Sequence, residues 1–209
     1  MTKMNDFKDI LAARKSVKLF DEQYKIPHEE MEDMIRQATL APSSVNMQPW
    51  RFMVVESDEG KAKLRPLIKF NTNQNDTSSA MVVIFGDMAC HENGEFIYSQ
   101  AVENNYMPLE VKNQLLPTIT EFYNSISTQQ MNDIVKIDSS LAAMQFMLVA
   151  KAHGYDTNPI GGFEADQIAE ALGLDATRYV PVVIIAVGKG VKEAHASYRM
   201  PVDKVMQYV

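Results

Sequence analysis

The chain has 209 residues, of which 46% are apolar and 22% are charged, a composition typical of a folded protein with one sizeable core. Its formal net charge of -7 argues against nucleic acids and anionic membranes as partners. The longest apolar run, residues 179–187, is too short to span a bilayer, and no signal-peptide pattern opens the sequence. The single cysteine, Cys90, excludes an internal disulfide and fits a cytoplasmic protein, and the scattered histidines offer no metal-ligand spacing.

The first predicted helix is followed by a basic segment. Asn5 or Asp6 can cap a helix that runs to about Ala13, and residues 14–18 then read Arg-Lys-Ser-Val-Lys. Cations at the C-terminal end of a helix interact favourably with its dipole, so the segment could be purely structural. It could also bind a phosphate group, because arginine presents a bidentate fork and serine a hydroxyl donor.

A second helix is predicted to start after Pro27 and to lead into residues 41–50, which read Ala-Pro-Ser-Ser-Val-Asn-Met-Gln-Pro-Trp. Its two prolines make this stretch a rigid, non-helical connection to the strand that follows. One interpretation is a helix-to-strand loop that buries Trp50. The other is a binding loop whose hydroxyls and amides contact a heterocycle with several carbonyl and ring-nitrogen groups.

The middle of the chain predicts strands at residues 51–56 and 81–86, and a further strand at 182–187. A charged helix is expected at 58–68, and the polar residues 71–79 are typical of a surface loop. Residues 87–127 predict two or three helical pieces, broken at Pro108 and near Pro117. The aromatic residues of that region are expected in core or interface packing, with a substrate lid as the alternative: Phe96, Tyr98, Tyr106, Phe122 and Tyr123.

The longest helix is predicted from Ser127 to His153, with Gly154 as its C-terminal cap. Residues 141–150 are apolar almost all round, and such a helix is buried on every side, so we expect a partner subunit to cover it. Residues 158–163, Asn-Pro-Ile-Gly-Gly-Phe, come before a helix at 164–172. Their two glycines either form a turn or let the backbone approach a planar ligand.

These motifs resemble those of one family. Residues 42–50, Pro-Ser-Ser-x-Asn-x-Gln-Pro-Trp, are similar to the signature of the FMN-dependent nitroreductase family, and the basic segment 14–18 resembles that family's other N-terminal motif. The resemblance runs from about Ile10 to the C-terminus. It implies a single domain over residues 1–209, with an α+β fold in which a central, mainly antiparallel sheet is flanked by helices. A doubly wound dinucleotide fold is disfavoured, because no Gly-x-Gly-x-x-Gly follows a strand.

The resemblance further implies an intertwined homodimer in which the C-terminal tail extends the partner's sheet and each FMN site uses both chains. The phosphate would be held by Arg14, Ser16 and Arg199, with Lys15 and Lys189 nearby. Lys18, Asn71 and Gln74 would face the pyrimidine edge of the flavin. The partner chain would supply Pro42, Ser43, Ser44 and Asn46, and the isoalloxazine would lie against Pro159, Ile160, Gly161 and Gly162.

The implied function is hydride transfer from NADH or NADPH through flavin N5 to a small organic acceptor of the nitroaromatic or quinone type, in ping-pong order. FMN would carry the chemistry, so no catalytic side chain is expected. Alternatives are a flavin-binding regulatory or storage protein, and a dehalogenase- or enoate-type reductase on the same scaffold. The sequence departs from the family pattern at Gln74 and Ser197, where lysines often lie, and at Gly161, where a glutamate can lie; Lys189 could compensate for Ser197.

Overall fold

A computed structural model describes residues 6–209, so the candidate cap Asn5 lies outside the described residues. Asp6 caps the first helix, because its carboxylate accepts from the backbone N–H groups of Lys8 and Asp9. The helices are α1 Phe7–Ala13, α2 His28–Ala38, α3 Asp58–Leu64, α4 Thr72–Thr77, α5 Gly94–Glu103, α6 Leu109–Ser125, α7 Thr128–Ala152 and α8 Ile168–Ala171. The strands are β1 Trp50–Val55, β2 Ala80–Asp87, β3 Asp156–Ile160 and β4 Tyr179–Gly188.

The four strands form one antiparallel sheet in the order β1-β2-β4-β3, which confirms the predicted α+β class. All eight residues of β2 are buried, since helices or neighbouring strands cover it on every side. β1 and β3 lie at opposite edges, three inter-strand spacings or about 14 Å apart. This separation decides which of the predicted site residues can meet within one chain.

β3 was not among the predicted strands. Its sequence, Asp-Thr-Asn-Pro-Ile, contains three residues with poor strand propensity. It forms because it pairs along β4, from Asp156 opposite Gly188 to Ile160 opposite Ile184. Pro159 is tolerated there because an edge strand has one side free of the ladder.

α7 is the central helix of the molecule. A capping box between Ser127 and Gln130 begins it, and Gly154 follows its end with a φ of 82°. A stripe of Ile137, Leu141 and Met144 is exposed in the single chain, which leaves the expected cover by a partner subunit a prediction. No described helix is both long enough and apolar enough to cross a membrane.

Three predicted boundaries were wrong. Pro117 lies inside α6 and does not break it, because its exposed position lets water satisfy the carbonyl that loses its partner. The helix expected at 58–68 ends at Leu64, where a 3₁₀ turn containing Pro66 begins. The helix expected at 164–172 is reduced to the four residues of α8.

Candidate functional site

The basic segment lies along the outer side of β3. Ser16 forms a parallel bridge with Thr157, and the N–H of Val17 donates to the Thr157 carbonyl at 3.0 Å. Farther on, the N–H of Phe20 donates to Oγ1 of Thr77 at the end of α4. These contacts bring the basic segment, β3 and α4 to one edge of the sheet.

Alternation divides the basic segment into two faces. Lys15 and Val17 line a polar cavity of about 470 Å³ that Asp156 also borders. Because successive side chains of an extended segment point to opposite sides, Arg14, Ser16 and Lys18 face away from that cavity. The structure therefore separates Lys15 from the other three predicted contacts of this segment.

The polar stretch after Phe70 was expected to be a surface loop, and it is instead the short helix α4, in which Gln74 is buried. Its Nε2 donates to Oδ1 of Asn71 at 3.1 Å. The Nδ2 atom of Asn71 in turn lies 3.9 Å from the position that a Cβ on Gly162 would occupy. Gln74 thus orients Asn71 toward the backbone that follows β3.

The backbone at Gly161 and Gly162 borders open space. A Cβ at Gly161 would meet nothing within 4 Å, and one at Gly162 would meet only the Asn71 amide. Both glycines are exposed, whereas the preceding Ile160 is buried. A flat ring system could therefore lie directly on this backbone, with an amide and the cations of the basic segment at its border.

We call this set the β3-edge group: Arg14, Ser16, Lys18, Asn71, Gln74, Pro159, Ile160, Gly161 and Gly162. Its open backbone, two cations and several hydrogen-bond donors suit a phosphorylated planar heterocycle. Neither Arg14 nor Lys18 is ion-paired with another residue in the described range 6–209. The Arg14 guanidinium and the Lys18 ammonium are therefore available to bind an anion.

Residues 42–48, here called the motif loop, lie at the other edge, before β1. Pro42, Ser44, Val45 and Asn46 are exposed, whereas Met47, Pro49 and Trp50 are buried. The chain buries Trp50 at the start of β1, as the first interpretation expects, and it exposes Ser44 and Asn46, which the second interpretation requires for contact with a ligand.

The backbone of the motif loop is strained. Val45, Asn46 and Gln48 have φ values of 43°, 58° and 48°. The left-handed region is unfavourable for residues other than glycine, above all for a β-branched valine. Such a conformation persists only where the surrounding contacts hold it.

Those contacts come from α5, α6 and α7. Asp138, which is 3% exposed, accepts from the Ser44 N–H at 2.9 Å and from the Ser44 hydroxyl at 3.1 Å. The Tyr98 hydroxyl donates to the Val45 carbonyl at 3.1 Å, and the Tyr123 hydroxyl lies 3.5 Å from the Ser44 carbonyl. Within the loop, the Gln48 N–H donates to Oγ of Ser43.

Burial shapes the acid–base behaviour of this region. It raises the pKa of the Asp138 carboxyl, and the two hydrogen bonds from Ser44 offset part of that effect. It also raises the pKa of the Tyr123 hydroxyl, and it raises the pKa of Cys90 to about 12, with the negative charges of Asp87 and Asp138 as smaller causes. Cys90 is therefore a neutral, buried thiol and not a nucleophile.

A single chain does not bring all the predicted residues together. The motif loop and the β3-edge group lie at opposite edges of the sheet. Arg199 lies on the exposed C-terminal tail, where its guanidinium donates to the neighbouring Tyr198 carbonyl. Lys189 donates to the Gly154 carbonyl at 2.9 Å, and its ammonium lies 3.9 Å from the centre of the Tyr155 ring.

Sequence reasoning missed the residues that hold the motif loop. Tyr98 and Tyr123 were expected in core or interface packing, or in a substrate lid, and Asp138 was not singled out. Their partners lie 53 to 94 residues away in sequence, so no local spacing could have indicated them. The sequence offers one indication of Asp138, which is its place in a helix that becomes more apolar toward its end. An aspartate buried in such a helix requires a hydrogen-bond partner.

The chain as a whole is similar to known proteins of one family. A family model described as "Nitroreductase family" matches residues 11–189. A crystal structure from Staphylococcus epidermidis, provisionally described as an NAD(P)H:FMN oxidoreductase, is 56% identical with a TM-score of 0.99, covering 100% of this chain and 98% of that one. A structure from Exiguobacterium sibiricum, provisionally described as a nitroreductase in complex with FMN, is 49% identical with a TM-score of 0.97, covering 100% and 99%. The CLA biosynthesis enone reductase of Lactiplantibacillus plantarum is 39% identical over 190 residues, 90% of this chain and 88% of that protein.

Proposed function

This chain belongs to the nitroreductase family, and we propose that it is an FMN-dependent NAD(P)H oxidoreductase that reduces a small organic acceptor. The observation that carries the proposal is the β3-edge group. Exposed glycine backbone with open space above it lies beside Asn71, and Arg14 and Lys18, which have no ion-pair partner within residues 6–209, lie along the same edge. This combination suits a planar, phosphorylated cofactor.

Different residues of the β3-edge group would bind different parts of FMN. Arg14 and Ser16 would bind the phosphate, with Arg199 completing that set from the tail. Asn71, oriented by Gln74, and Lys18 would meet the pyrimidine edge. We do not assign Lys15 and Lys189 to the FMN site, because Lys15 borders a separate cavity and the Lys189 ammonium contacts the Gly154 carbonyl and the Tyr155 ring.

We further propose that the motif loop reaches FMN across a dimer interface. Within one chain, Ser43, Ser44 and Asn46 lie about 14 Å from the β3-edge group if only the strand spacing is counted. A second chain would place its motif loop against the β3-edge group of the first. The exposed stripe on α7 and the exposed apolar tail supply surface for such an interface.

Bound FMN would accept a hydride from the nicotinamide and deliver it to the acceptor. Its isoalloxazine would lie on the backbone of Gly161 and Gly162, which leaves the opposite face of the ring for the two reactants to occupy in turn. We therefore propose ping-pong order, in which the oxidised nicotinamide leaves before the acceptor binds. No side chain of the β3-edge group is placed as a general acid or base.

A second candidate for the acceptor is an enone that carries an apolar chain. Next to the motif loop is a groove of about 450 Å³ whose lining is almost wholly apolar: Ser44, Val45, Thr118, Ile119, Phe122, Tyr123 and Ile134. A nitroaromatic or a simple quinone does not need that length of apolar surface, whereas an alkyl chain does. The enone reductase among the relatives supports this candidate.

The test begins with the protein as purified. Acid release should yield FMN and no FAD, and anaerobic NADH or NADPH should bleach the flavin. A panel of nitroaromatics, quinones and enones of increasing chain length should then restore the colour. A protein that contains no flavin would overturn the proposal. A bound flavin that stays oxidised in the presence of NADH and NADPH would favour the flavin-binding regulatory or storage role instead.

Phe122→Ser separates the two acceptor classes. It removes an aromatic wall of the groove, so it should raise KM for long-chain enones and leave the turnover of a small quinone unchanged. Phe96→Ser, at an exposed aromatic residue that does not line the groove, is the matched control. Equal effects of Phe122→Ser on both acceptors would exclude the enone candidate.

A further inference from the structure

We propose that Asp138 is a positioning residue, which holds the motif loop in the strained conformation that contacts FMN. The inference rests on the proposed function, since it assumes that the motif loop forms part of the FMN site. It concerns a buried carboxylate on α7 to which the sequence motifs assign no role.

The geometry of Asp138 is that of a clamp. One carboxylate oxygen accepts from the Ser44 N–H and the other from the Ser44 hydroxyl, at 2.9 and 3.1 Å. The two bonds fix both the backbone and the side chain of one residue, immediately before the left-handed Val45 and Asn46. A buried carboxylate with two donors is a strong acceptor, because the surrounding low dielectric strengthens each bond.

The clamp also determines what Ser44 can offer to a ligand. Its hydroxyl proton is committed to Asp138, so its oxygen presents only lone pairs to the outside. The Ser43 hydroxyl differs, because its oxygen accepts from the Gln48 N–H and its proton is free to donate. The motif loop therefore displays one acceptor and one donor side by side.

No cation neutralises Asp138 among the residues that the structure describes. The titratable groups that interact with it are Tyr123 on α6 and Cys90 before α5, and Tyr98 on α5 bonds the adjoining Val45 carbonyl; burial raises the pKa of all three. All three are neutral at physiological pH. A buried, unpaired carboxylate is costly to the fold, so its presence is best explained by the loop that it holds.

Substitution of Asp138 separates positioning from packing. Asp138→Ala removes both bonds and frees the loop to leave its strained conformation, so the Kd for FMN should rise about tenfold or more. Asp138→Asn keeps a carbonyl oxygen for the Ser44 N–H and offers an amide donor to the Ser44 oxygen. It still holds the loop but frees the Ser44 hydroxyl proton, so its Kd should rise less than that of Asp138→Ala.

Ser139→Ala is the matched control. Ser139 is the next residue of α7, it is fully buried, and its hydroxyl has no partner among residues 6–209. Removing that hydroxyl disturbs the same helix turn without touching the motif loop. Its Kd for FMN should equal that of wild type.

The measurement is titration of each apoprotein with FMN, followed by quenching of flavin fluorescence and by the visible spectrum of the bound flavin. Wild-type affinity in Asp138→Ala, or equal losses in the Ala and Asn variants, would overturn the positioning role. Should Asp138→Ala not fold, Asp138→Leu replaces it, since a side chain of similar shape removes both acceptors without leaving a cavity. Its Kd should also rise about tenfold, and an unchanged Kd would then overturn the inference. A wild-type protein that binds no FMN would instead overturn the proposed function.

Discussion

At the scale of single residues, Lys18 carries the clearest electrostatic consequence. It is an exposed cation on the same face as Arg14 and Ser16, and its neighbour at the proposed pyrimidine edge, Gln74, is an uncharged amide. Reduction of a flavin places negative charge at that edge, so a cation there stabilises the reduced form more than the oxidised form. If the cation stabilises the reduced flavin by about 1.4–3 kcal/mol more than the oxidised flavin, the midpoint potential of the two-electron couple differs by roughly 30–65 mV.

Lys18→Met should therefore make the flavin midpoint potential more negative by about 30–65 mV. Methionine keeps much of the aliphatic length, so lost packing contributes little. The measurement is a redox titration of the bound flavin against a reference dye. Lys15→Met, on the other face of the segment, should leave the potential unchanged, and an unchanged potential in Lys18→Met would contradict the assignment.

Arg14 and Arg199 are predicted to bind the phosphate. Replacing both with alanine removes at least two charge-assisted hydrogen bonds, each worth about 1.5–3 kcal/mol. Dialysis should then strip the cofactor from the variant while wild type retains it. Retention of FMN by the double variant, measured by absorbance after dialysis, would show that the phosphate lies elsewhere.

Asp138 also predicts a pH dependence of stability. Burial raises its pKa in the folded state above the ordinary value of about 3.9, so the folded state holds the proton more tightly than the unfolded state. The stability that this contributes is fully present below about pH 3.9 and is lost as pH rises through the raised pKa. Asp138→Asn does not titrate and avoids that loss.

Urea unfolding of the apoproteins measures the difference. The stability of Asp138→Asn relative to wild type should increase from pH 4 to pH 8. Cys90 and Tyr123 do not interfere, because their raised pKa values keep them neutral over that range. Parallel pH profiles for the two proteins would mean that burial does not perturb Asp138.

At the scale of elements, the C-terminal tail stands out because the rest of its own chain leaves its apolar side chains uncovered. Val202, Val205, Met206 and Tyr208 are all exposed in the single chain. An apolar tail without a covering surface is unfavourable in water, so we expect it to pack on a second chain.

Val205→Asp should weaken the dimer and lower FMN occupancy together, since both depend on the same assembly. Val205→Thr, which has nearly the same shape and no charge, should leave both unchanged. Light scattering after size exclusion gives the mass, and the ratio of flavin to protein absorbance gives the occupancy. A monomeric Val205→Asp that binds FMN stoichiometrically would contradict a shared site.

At the scale of the whole molecule, the separation of the two sheet edges predicts complementation between defective chains. One chain carries Arg14→Ala with Lys18→Ala, and the other carries Ser43→Ala with Ser44→Ala. Each homodimer has two defective sites. If each site combines the β3-edge group of one chain with the motif loop of the other, the heterodimer has one intact site.

Co-expression with two different affinity tags isolates that heterodimer. We expect about one tightly bound FMN per heterodimer and almost none in either homodimer. If both groups served the same site from one chain, the heterodimer would have no intact site. Absence of bound FMN in the heterodimer would therefore reject the shared site.

Local signals in the sequence account for much of the fold. Helical spacing with a capping residue located α1, α2 and α7, and continuous apolar runs located β1, β2 and β4, because these patterns depend on neighbouring residues alone. β3 could not be found in this way, since its Asp-Thr-Asn-Pro-Ile sequence becomes a strand only through pairing with β4. α4 escaped prediction for a similar reason, because tertiary packing buries polar residues that look solvent-exposed in sequence.

For the candidate site, the sequence by itself determined which residue types are available. Each of the two motifs, residues 14–18 and 42–50, is one continuous stretch whose chemistry can be read from the residues themselves. Only the tertiary structure decided their arrangement. The basic segment pairs with β3 and is extended, so its side chains alternate between two faces. Lys15 therefore lies on the other face from Arg14, Ser16 and Lys18. The strand order put the motif loop at the opposite edge, and packing of α7 put Asp138 on Ser44, 94 residues away in the chain. Contacts over such distances depend on how whole elements pack, and no local pattern carries that information.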